Sequence, residues 1–469
     1  MSNTIPPPPS ISSAPPGAWR PAMAVARRLA APVERFLHIE AASGILLVAV
    51  AAVALIWANS PWAGSYAALW HADLGGQLGP WSFTRPLHFW INDGLMALFF
   101  FVVGLEIRRE IARGELSELR RAALPVAAAV GGMMVPALIF LAFNHGRPSL
   151  AGWGVPMATD IAFAVGVLVL LGPRVPPALR ILLLALAVID DLGAILVIAI
   201  FYTSELWVPG VAVAGAGLAG ILVLQRIGVR SPWAYVPPAV VAWAGTYTFG
   251  VHPTLAGVAV GLLTPVRVWF GPLAFADQAE TATAQVRAAR SDDEVLPALD
   301  AIAAAGREAV APVDRLIHAL HGWVAFIIMP VFALANAGVP LGGASLDGDA
   351  GRVFWGVALG LAVGKPVGVL LLAWALRASG LGALPTGVGW GATSVVGVVA
   401  GIGFTMALFI AGLAFATQPE LLETAKLAIL CGSAAAALLG YALGRVMLPA
   451  HLPAGAARTA SEAERSTEA

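Results

Sequence analysis

From residue 41 onward the chain is a succession of long apolar runs separated by short polar loops. Roughly twelve runs can be marked: 41–58, 89–107, 122–144, 155–171, 180–202, 208–225, 233–250, 252–268, 323–338, 353–376, 387–416 and 421–447. A helix of about 20 apolar residues crosses the hydrocarbon layer of a bilayer. The pattern therefore predicts an all-α integral membrane protein with about 12 transmembrane helices. Two loops are long enough to hold structure of their own. Residues 60–88 carry the turn signal Gly79-Pro80 and can form a small external β-hairpin, either a cap or a pairing surface for a second copy. Residues 270–314 carry Asp277, Glu280, Asp292, Asp293, Glu294, Asp300, Glu308 and Asp314 and read as an acidic linker of solvated helix or disorder, with regulation as the alternative. Residues 1–37 form a Pro/Ser-rich extension expected to be disordered, 38–449 the transmembrane domain, and 450–469 a tail.

The polar interruptions of the apolar runs change this picture. Asp190 and Asp191 stand side by side in the middle of the fifth run, between Leu182 and Phe201. Ionisable groups at that depth are costly and mark ion or proton routes more often than structural ion pairs. The fourth run holds Ala158-Thr159-Asp160 beside Pro156, and the eleventh holds Gly401-Ile402-Gly403-Phe404-Thr405. Non-helical backbone inside a membrane is tolerated only where protein or a wet cavity covers it. A matched pair of interrupted helices points to a transporter site between inverted repeats, here segments 3–5 and 10–12. Close helix packing is the plainer reading of Gly401 and Gly403.

The charges take roles within that frame. Broken helices expose positive half-helix N-termini and negative C-termini. Asp160 suits the first and Lys365, in Gly364-Lys365-Pro366, the second. Ion binding is the alternative for Asp160. Adjacent residues on a helix point about 100° apart, so Asp190 and Asp191 cannot both face one small site. One faces the ion route and the other a neighbouring helix, where Lys365 is the natural partner. An acid kept from water and faced by a like charge can trade its proton for a hard cation. Alternating exposure of such a site suffices for antiport.

Composition narrows the class further. Hydrophobic residues make up 59% of the chain and charged residues 12%, about half the charge of a soluble domain. With 27 basic and 27 acidic residues there is no net charge to attract a nucleic acid, and the single Cys431 excludes a disulfide framework or cysteine metal site. Lys365 and Lys426 are the only lysines; all other non-histidine bases are arginine. A lysine, unlike an arginine, can release its proton when desolvated. Arginines cluster in alternate loops: Arg108, Arg109, Arg113, Arg120 and Arg121, then Arg174 and Arg180, Arg226 and Arg230, and Arg377. That alternation predicts an even number of spans with both termini cytoplasmic.

These residues together resemble the NhaA family of bacterial sodium/proton antiporters, which are built from inverted repeats. The likeness runs from about residue 36 to 447. It rests on Trp90-Ile91-Asn92-Asp93, Val103-Gly104-Leu105-Glu106, Gly131-Gly132-Met133-Met134-Val135-Pro136, Ala158-Thr159-Asp160-Ile161-Ala162-Phe163-Ala164, Ile189-Asp190-Asp191-Leu192-Gly193-Ala194, His252-Pro253-Thr254-Leu255-Ala256-Gly257, Gly364-Lys365-Pro366 and Gly401-Ile402-Gly403-Phe404-Thr405-Met406. The resemblance implies discontinuous fourth and eleventh helices crossing at mid-membrane. It implies electrogenic exchange of Na+ or Li+ for a larger number of H+, in the inner membrane, with no resident cofactor. By it Asp191 is the main cation ligand, with Asp190 and Thr159 close by. Asp160 balances half-helix ends, and Lys365 pairs with Asp190. Either Lys365 or Asp190 carries the second proton. Asp93 and Glu106 match acids lining a cytoplasmic pathway, His252 a histidine of the pH response, and the 60–88 hairpin a homodimer contact. For His252 the alternative is an interfacial cap of segment eight. Two departures stand out. The pH-sensing region resembles Arg315–His321, with His318 and His321, but Ile317 stands where an acid is expected, and the 270–314 linker is long for the family. The rival classes are a cation-coupled symporter, which needs a roomier mid-membrane pocket, and a membrane-embedded enzyme, which lacks a nucleophile here.

Overall fold

A computed structural model describes residues 42–78, 81–203, 207–268, 271–342 and 347–449. The expected terminal segments 1–37 and 450–469 lie outside the described residues. The order is α1 (Ala42–Ala58), α2 (Ala63–Trp70), β1 (Asp73–Leu78), β2 (Trp81–Pro86), α3 (Leu87–Arg113), α4 (Leu119–Asn144), a tightly wound 3-10 segment (Pro148–Met157), α5 (Ile161–Leu170), α6 (Pro177–Phe201), α7 (Val208–Ile227) and α8 (Val236–Phe249). There follow α9 (Thr254–Leu263), α10 (Pro272–Ala288), α11 (Asp292–Glu308), α12 (Pro312–Asn336), α13 (Gly348–Ala378), α14 (Trp390–Ala400), α15 (Phe404–Ala414) and α16 (Pro419–Met447). Each apolar run of the sequence coincides with a helix or a broken helix pair. Seven described helices are long and apolar enough to cross a membrane, and up to ten spans result if each bent pair counts as one. The outward faces are apolar, as lipid requires: Ile200 is 68% and Leu438 72% exposed.

Local sequence sets the helix ends. Proline opens α6, α12 and α16 within the first turn, where its missing N–H costs nothing. Gly228 and Gly250 end α7 and α8 with φ of 83° and 92°, a left-handed conformation that only glycine adopts freely. Among the described residues three helices widen into a π-turn, at Trp90–Leu95 in α3, Val324–Ile328 in α12 and Gly360–Gly364 in α13. The last two precede Pro330 and Pro366. A proline inside a helix lacks an N–H and crowds the carbonyl one turn back, and a wider turn relieves both.

Small residues bring the helices together. A Cβ on Gly131 of α4 would lie 2.0 Å from the carbonyl of Gly368 in α13. Gly104 of α3 and Gly261 of α9 face each other, as do Gly245 and Ala214 between α8 and α7. Without a hydrophobic force between helices in lipid, such backbone approach supplies the packing.

Two loops differ from expectation. Residues 60–88 do contain an antiparallel hairpin, Asp73 pairing Pro86 through Leu78 pairing Trp81. Helix α2 comes first, however, turned 113° from α1; the expected turn Gly79-Pro80 lies outside the described residues. The acidic linker takes the helical one of its two expected forms, as the pair α10 and α11, and differs only in ending early, because α12 starts at Pro312. Asp314, His318 and His321 had hidden that start. They point away from the core, while Val313 and Ile317 pack with Leu105 and Ala311. Arg113 reaches Asp314 at 3.4 Å, which sets the arginine-rich end of α3 beside the start of α12, and the hairpin lies at the opposite end.

Candidate functional site

The site forms where two helices are interrupted. The chain bends by 43° between Pro148–Met157 and α5, and by 44° between α14 and α15. Ala158 and Asp160 are extended (ψ 147° and 102°). The two interruptions touch. Asp160 N donates to Ile402 O at 2.7 Å and Thr159 Oγ1 to Ala400 O at 2.9 Å. Gly401 and Gly403 are needed here: a Cβ on the first would lie 2.4 Å from Leu361 O, and on the second 3.0 Å from Ala158 O. Gly401 thus packs against α13 and Gly403 against the other interruption, so close packing and the helix break occur together here.

Asp160 has both carboxylate oxygens committed to half-helix N-termini. Its Oδ1 accepts from Phe163 N at 3.0 Å in the first turn of α5. Its Oδ2 accepts from Thr405 N at 3.1 Å, and from the Thr405 hydroxyl, at the start of α15. One negative charge thus faces two positive helix ends. Phe404 N, beside it, donates to Ser433 Oγ of α16 at 3.1 Å. The negative ends are met differently: Lys365 Nζ donates to Met157 O, and the Thr159 hydroxyl to Ala400 O.

Asp190 and Asp191 lie in α6, each 1% exposed, and Lys365 is fully buried. Asp190 Oδ2 meets Lys365 Nζ at 2.6 Å and accepts from Thr159 Oγ1 at 2.7 Å. Thr159 has one proton and two acceptors, Asp190 Oδ2 and Ala400 O, so it serves one of them at a time. Asp190 Oδ1 and Asp191 Oδ1 are buried with no protein hydrogen-bond partner. Such orphaned buried oxygens are costly in a folded chain and call for a ligand, a proton or water. Besides Asp190, the acids whose fields reach Asp191 are Glu106 and Asp160, with Lys365 opposing them.

The remaining expected residues are scattered. Asp93 and Glu106 do not share one side. Both lie on α3, but they are about 20 Å apart along its axis at 1.5 Å per residue. Asp93 sits towards the hairpin and Glu106 beside the arginine-rich end, so the two acids lie at different depths along α3. Asp93 instead pairs with His252, at 3.4 Å, and its carbonyl accepts from Trp243 Nε1 at 2.9 Å. His252 also contacts Thr254 Oγ1 at 2.8 Å, in the first turn of α9. His318 and His321 are exposed on α12 and take no part in the buried cluster. Sequence reasoning missed the carbonyls of Met157 and Ala400, which no side-chain pattern signals. It also missed Ser433 and Asn336; the signal for Asn336 was a lone polar residue in its apolar run, whereas Ser433 shares its run with other polar residues.

A family model described as Na+/H+ antiporter 1 matches residues 34–443. The chain belongs to that family. Its relatives include the Na(+)/H(+) antiporter NhaA 2 of Myxococcus xanthus, 56% identical over 100% of both chains. The NhaA 2 of Sorangium cellulosum is 57% identical over 98% of this chain and 99% of its own. The NhaA of Bordetella petrii is 53% identical over 94% and 96%. These relatives are named as antiporters, transporters rather than enzymes.

Proposed function

We infer that this multi-pass membrane protein exchanges sodium for protons at the crossing of its two interrupted helices. The observation that carries the reading is the pair of buried, unpartnered oxygens on Asp190 and Asp191 beside a buried lysine. A hard cation takes oxygen ligands. Asp191 supplies the main one, with Asp190 and Thr159 close by. Asp190 has one oxygen tied to Lys365 and Thr159 and keeps the other free. Asp160 compensates helix ends and stays out of the exchange, since both its oxygens accept from the first turns of α5 and α15. Protons and a cation compete for the same carboxylates, so the site carries one or the other as it opens to each side in turn.

In this reading the ions are Na+ or Li+, and two protons enter per cation, which makes transport electrogenic. The second proton leaves from Asp190 or from Lys365. Segments 3–5 and 10–12 act as inverted repeats within twelve spans of an inner membrane, with both termini cytoplasmic. Glu106 lines the cytoplasmic approach, and His252 acts from the opposite side through Asp93. The hairpin pairs with that of a second copy.

The deciding experiment uses everted vesicles and a pH-sensitive dye. Adding sodium or lithium is expected to release protons from the vesicle lumen at neutral to alkaline pH. The Asp191→Asn variant should insert and fold yet give no signal. Near-normal exchange in that variant would sink the ligand assignment. Absence of any cation-driven pH change in the wild type would sink antiport itself.

A further inference from the structure

Helix α4 leaves the arginine-rich end of α3 and finishes at the hairpin end, where α13 begins. Between the end of the one and the start of the other lies an open cleft of about 380 Å³ that the exchange site does not use. Ala142, Phe143, Gly348, Gly351, Arg352 and Trp355 line it. Two of the six are glycines, so no side chain from the first turn of α13 fills the space. Arg352 is held at the rim by backbone: its Nη1 donates to Phe143 O at 3.3 Å, and the Asn144 amide donates to Arg352 O at 3.4 Å.

The rim carries both signs of charge. Asp349, Arg352 and Trp355 recur at three-residue spacing, so a carboxylate, a guanidinium and an indole descend one side of α13. The carboxylate and the guanidinium are helix neighbours and do not pair with each other. Asp349 turns to Arg147, at 3.8 Å, too far for a hydrogen bond. A guanidinium has five N–H donors, and no carboxylate among the described residues pairs with that of Arg352. With Arg147 and Asp347 the rim holds two positive and two negative groups, which suits neither a bare anion nor a bare cation.

Below the rim the surface is apolar. Met134, Leu138 and Ala142 share one face of α4 at four-residue spacing, and the first two are 52% and 57% exposed. On α13 Trp355, Val363 and Val367 are half exposed. The two helices touch at Gly356 and Phe140, at Gly364 and Pro136, and at Gly368 and Gly131, so their apolar faces run side by side. Helix α13 has 31 residues, against about 20 needed to cross the hydrocarbon layer, so its ends reach into the headgroup layer. Trp355 stands one turn below Arg352, and indoles collect at that boundary.

We propose that this cleft seats a membrane phospholipid with a primary-ammonium headgroup, its phosphate on Arg352, its ammonium on Asp349 and its acyl chains along the strip between α4 and α13. A two-carbon link joins phosphate and ammonium in such a headgroup, which matches two side chains one helical turn apart. The guanidinium offers the phosphate paired N–H donors. A primary ammonium brings three N–H donors to the carboxylate. A trimethylated choline headgroup brings none, and a glycerol headgroup has no cation. The lipid site does not depend on which residues hold the transported cation.

Native mass spectrometry of the delipidated full chain in detergent tests it, with phosphatidylethanolamine, phosphatidylcholine and phosphatidylglycerol of equal chain length as probes. The first ethanolamine lipid should bind about two- to fivefold more tightly than either of the others, the contribution of a half-exposed ion pair. Asp349→Asn should remove that preference and leave choline-lipid binding as it was, whereas Arg352→Gln should weaken all three. Neither side chain is buried, and an unchanged thermal midpoint without lipid shows that each variant is folded. Hydrogen–deuterium exchange locates the site: ethanolamine lipid should protect peptides covering 347–356 in wild type and not in Arg352→Gln. Soluble phosphoethanolamine, which lacks the chains, should not bind at the same concentrations. The proposal is overturned if wild type does not distinguish the three lipids, if Asp349→Asn keeps the preference, or if Arg352→Gln binds all three as wild type does. Protection confined to other peptides overturns it too, and so does phosphoethanolamine binding as tightly as the lipid, which would mark a site for free phosphate esters.

Discussion

The two adjacent aspartates divide their work because a helix turns by about 100° per residue. Asp190 faces Lys365 and Thr159, whereas Asp191 Oδ1 has no protein partner. The division was legible in the sequence, since Lys365 is a rare lysine in an arginine-biased chain. The sequence also pointed Asp160 at positive half-helix ends; which backbone N–H groups it accepts from was not legible, because two helix N-termini about 240 residues apart must meet at one carboxylate. If protons and sodium compete for one site, the sign of the pH dependence follows. The proton-free form binds the cation, so acidification must raise the apparent KM for sodium, by up to about tenfold per pH unit for each competing proton. Transport rates in proteoliposomes at several sodium concentrations and pH values measure this; a KM independent of pH would show that the protons bind elsewhere. Lys365→Ala should reduce the slope if the lysine carries one of those protons, and leave it unchanged if Asp190 does.

At the scale of elements, the apolar runs and the two glycine- or proline-marked interruptions predicted the helices and their breaks. Boundaries failed where a helix is half amphipathic, as in the first turns of α12, since exposed histidines and an aspartate look like a loop in a hydropathy pattern. The π-turns were not legible either: only two of the three precede a proline, and the third, around Asp93, has no such mark. What holds the elements together is backbone approach at small residues. Gly131 and Gly368 face each other so closely that a methyl at either meets a carbonyl at 2.0 Å. Gly131→Ala or Gly368→Ala should therefore separate α4 from α13 and lower stability by about 1–3 kcal/mol or more, the usual cost of overpacking. A drop in the thermal midpoint of the detergent-solubilised protein reads this out. Gly412→Ala, with nothing near its Cβ position, is the control and should not lower the midpoint, since alanine favours the helix over glycine.

At the scale of the whole molecule, the hairpin packs chiefly strand on strand, and neither strand makes an extensive contact with a helix among the described residues. Its strands form a two-stranded sheet whose outer edges have no partner among the described residues, and an isolated hairpin is marginal by itself. Arg85 pins it down, with its guanidinium over the rings of Phe83, Phe89 and Tyr247 at 5.6–5.9 Å. If the hairpin pairs with that of a second copy, replacing residues 73–86 by a short flexible linker should convert dimer to monomer in native mass spectrometry. Sodium exchange should persist in proteoliposomes, because the exchange site lies wholly within one chain. A dimer that survives the replacement would place the contact elsewhere.

The sequence by itself determined the class of this protein, the order of its helices, the positions of both interruptions and the identity of the buried charges. Each of these is a local property, written in runs of apolar residues and in the rarity of a charge among them. Only the tertiary structure decided which ends of the interrupted helices meet, and which oxygens of Asp190 and Asp191 are left without a partner. It alone separated Asp93 from Glu106 and set the end of α4 beside Arg352. Those outcomes depend on contacts between residues far apart in the chain, through carbonyl groups that every residue carries and no sequence pattern distinguishes.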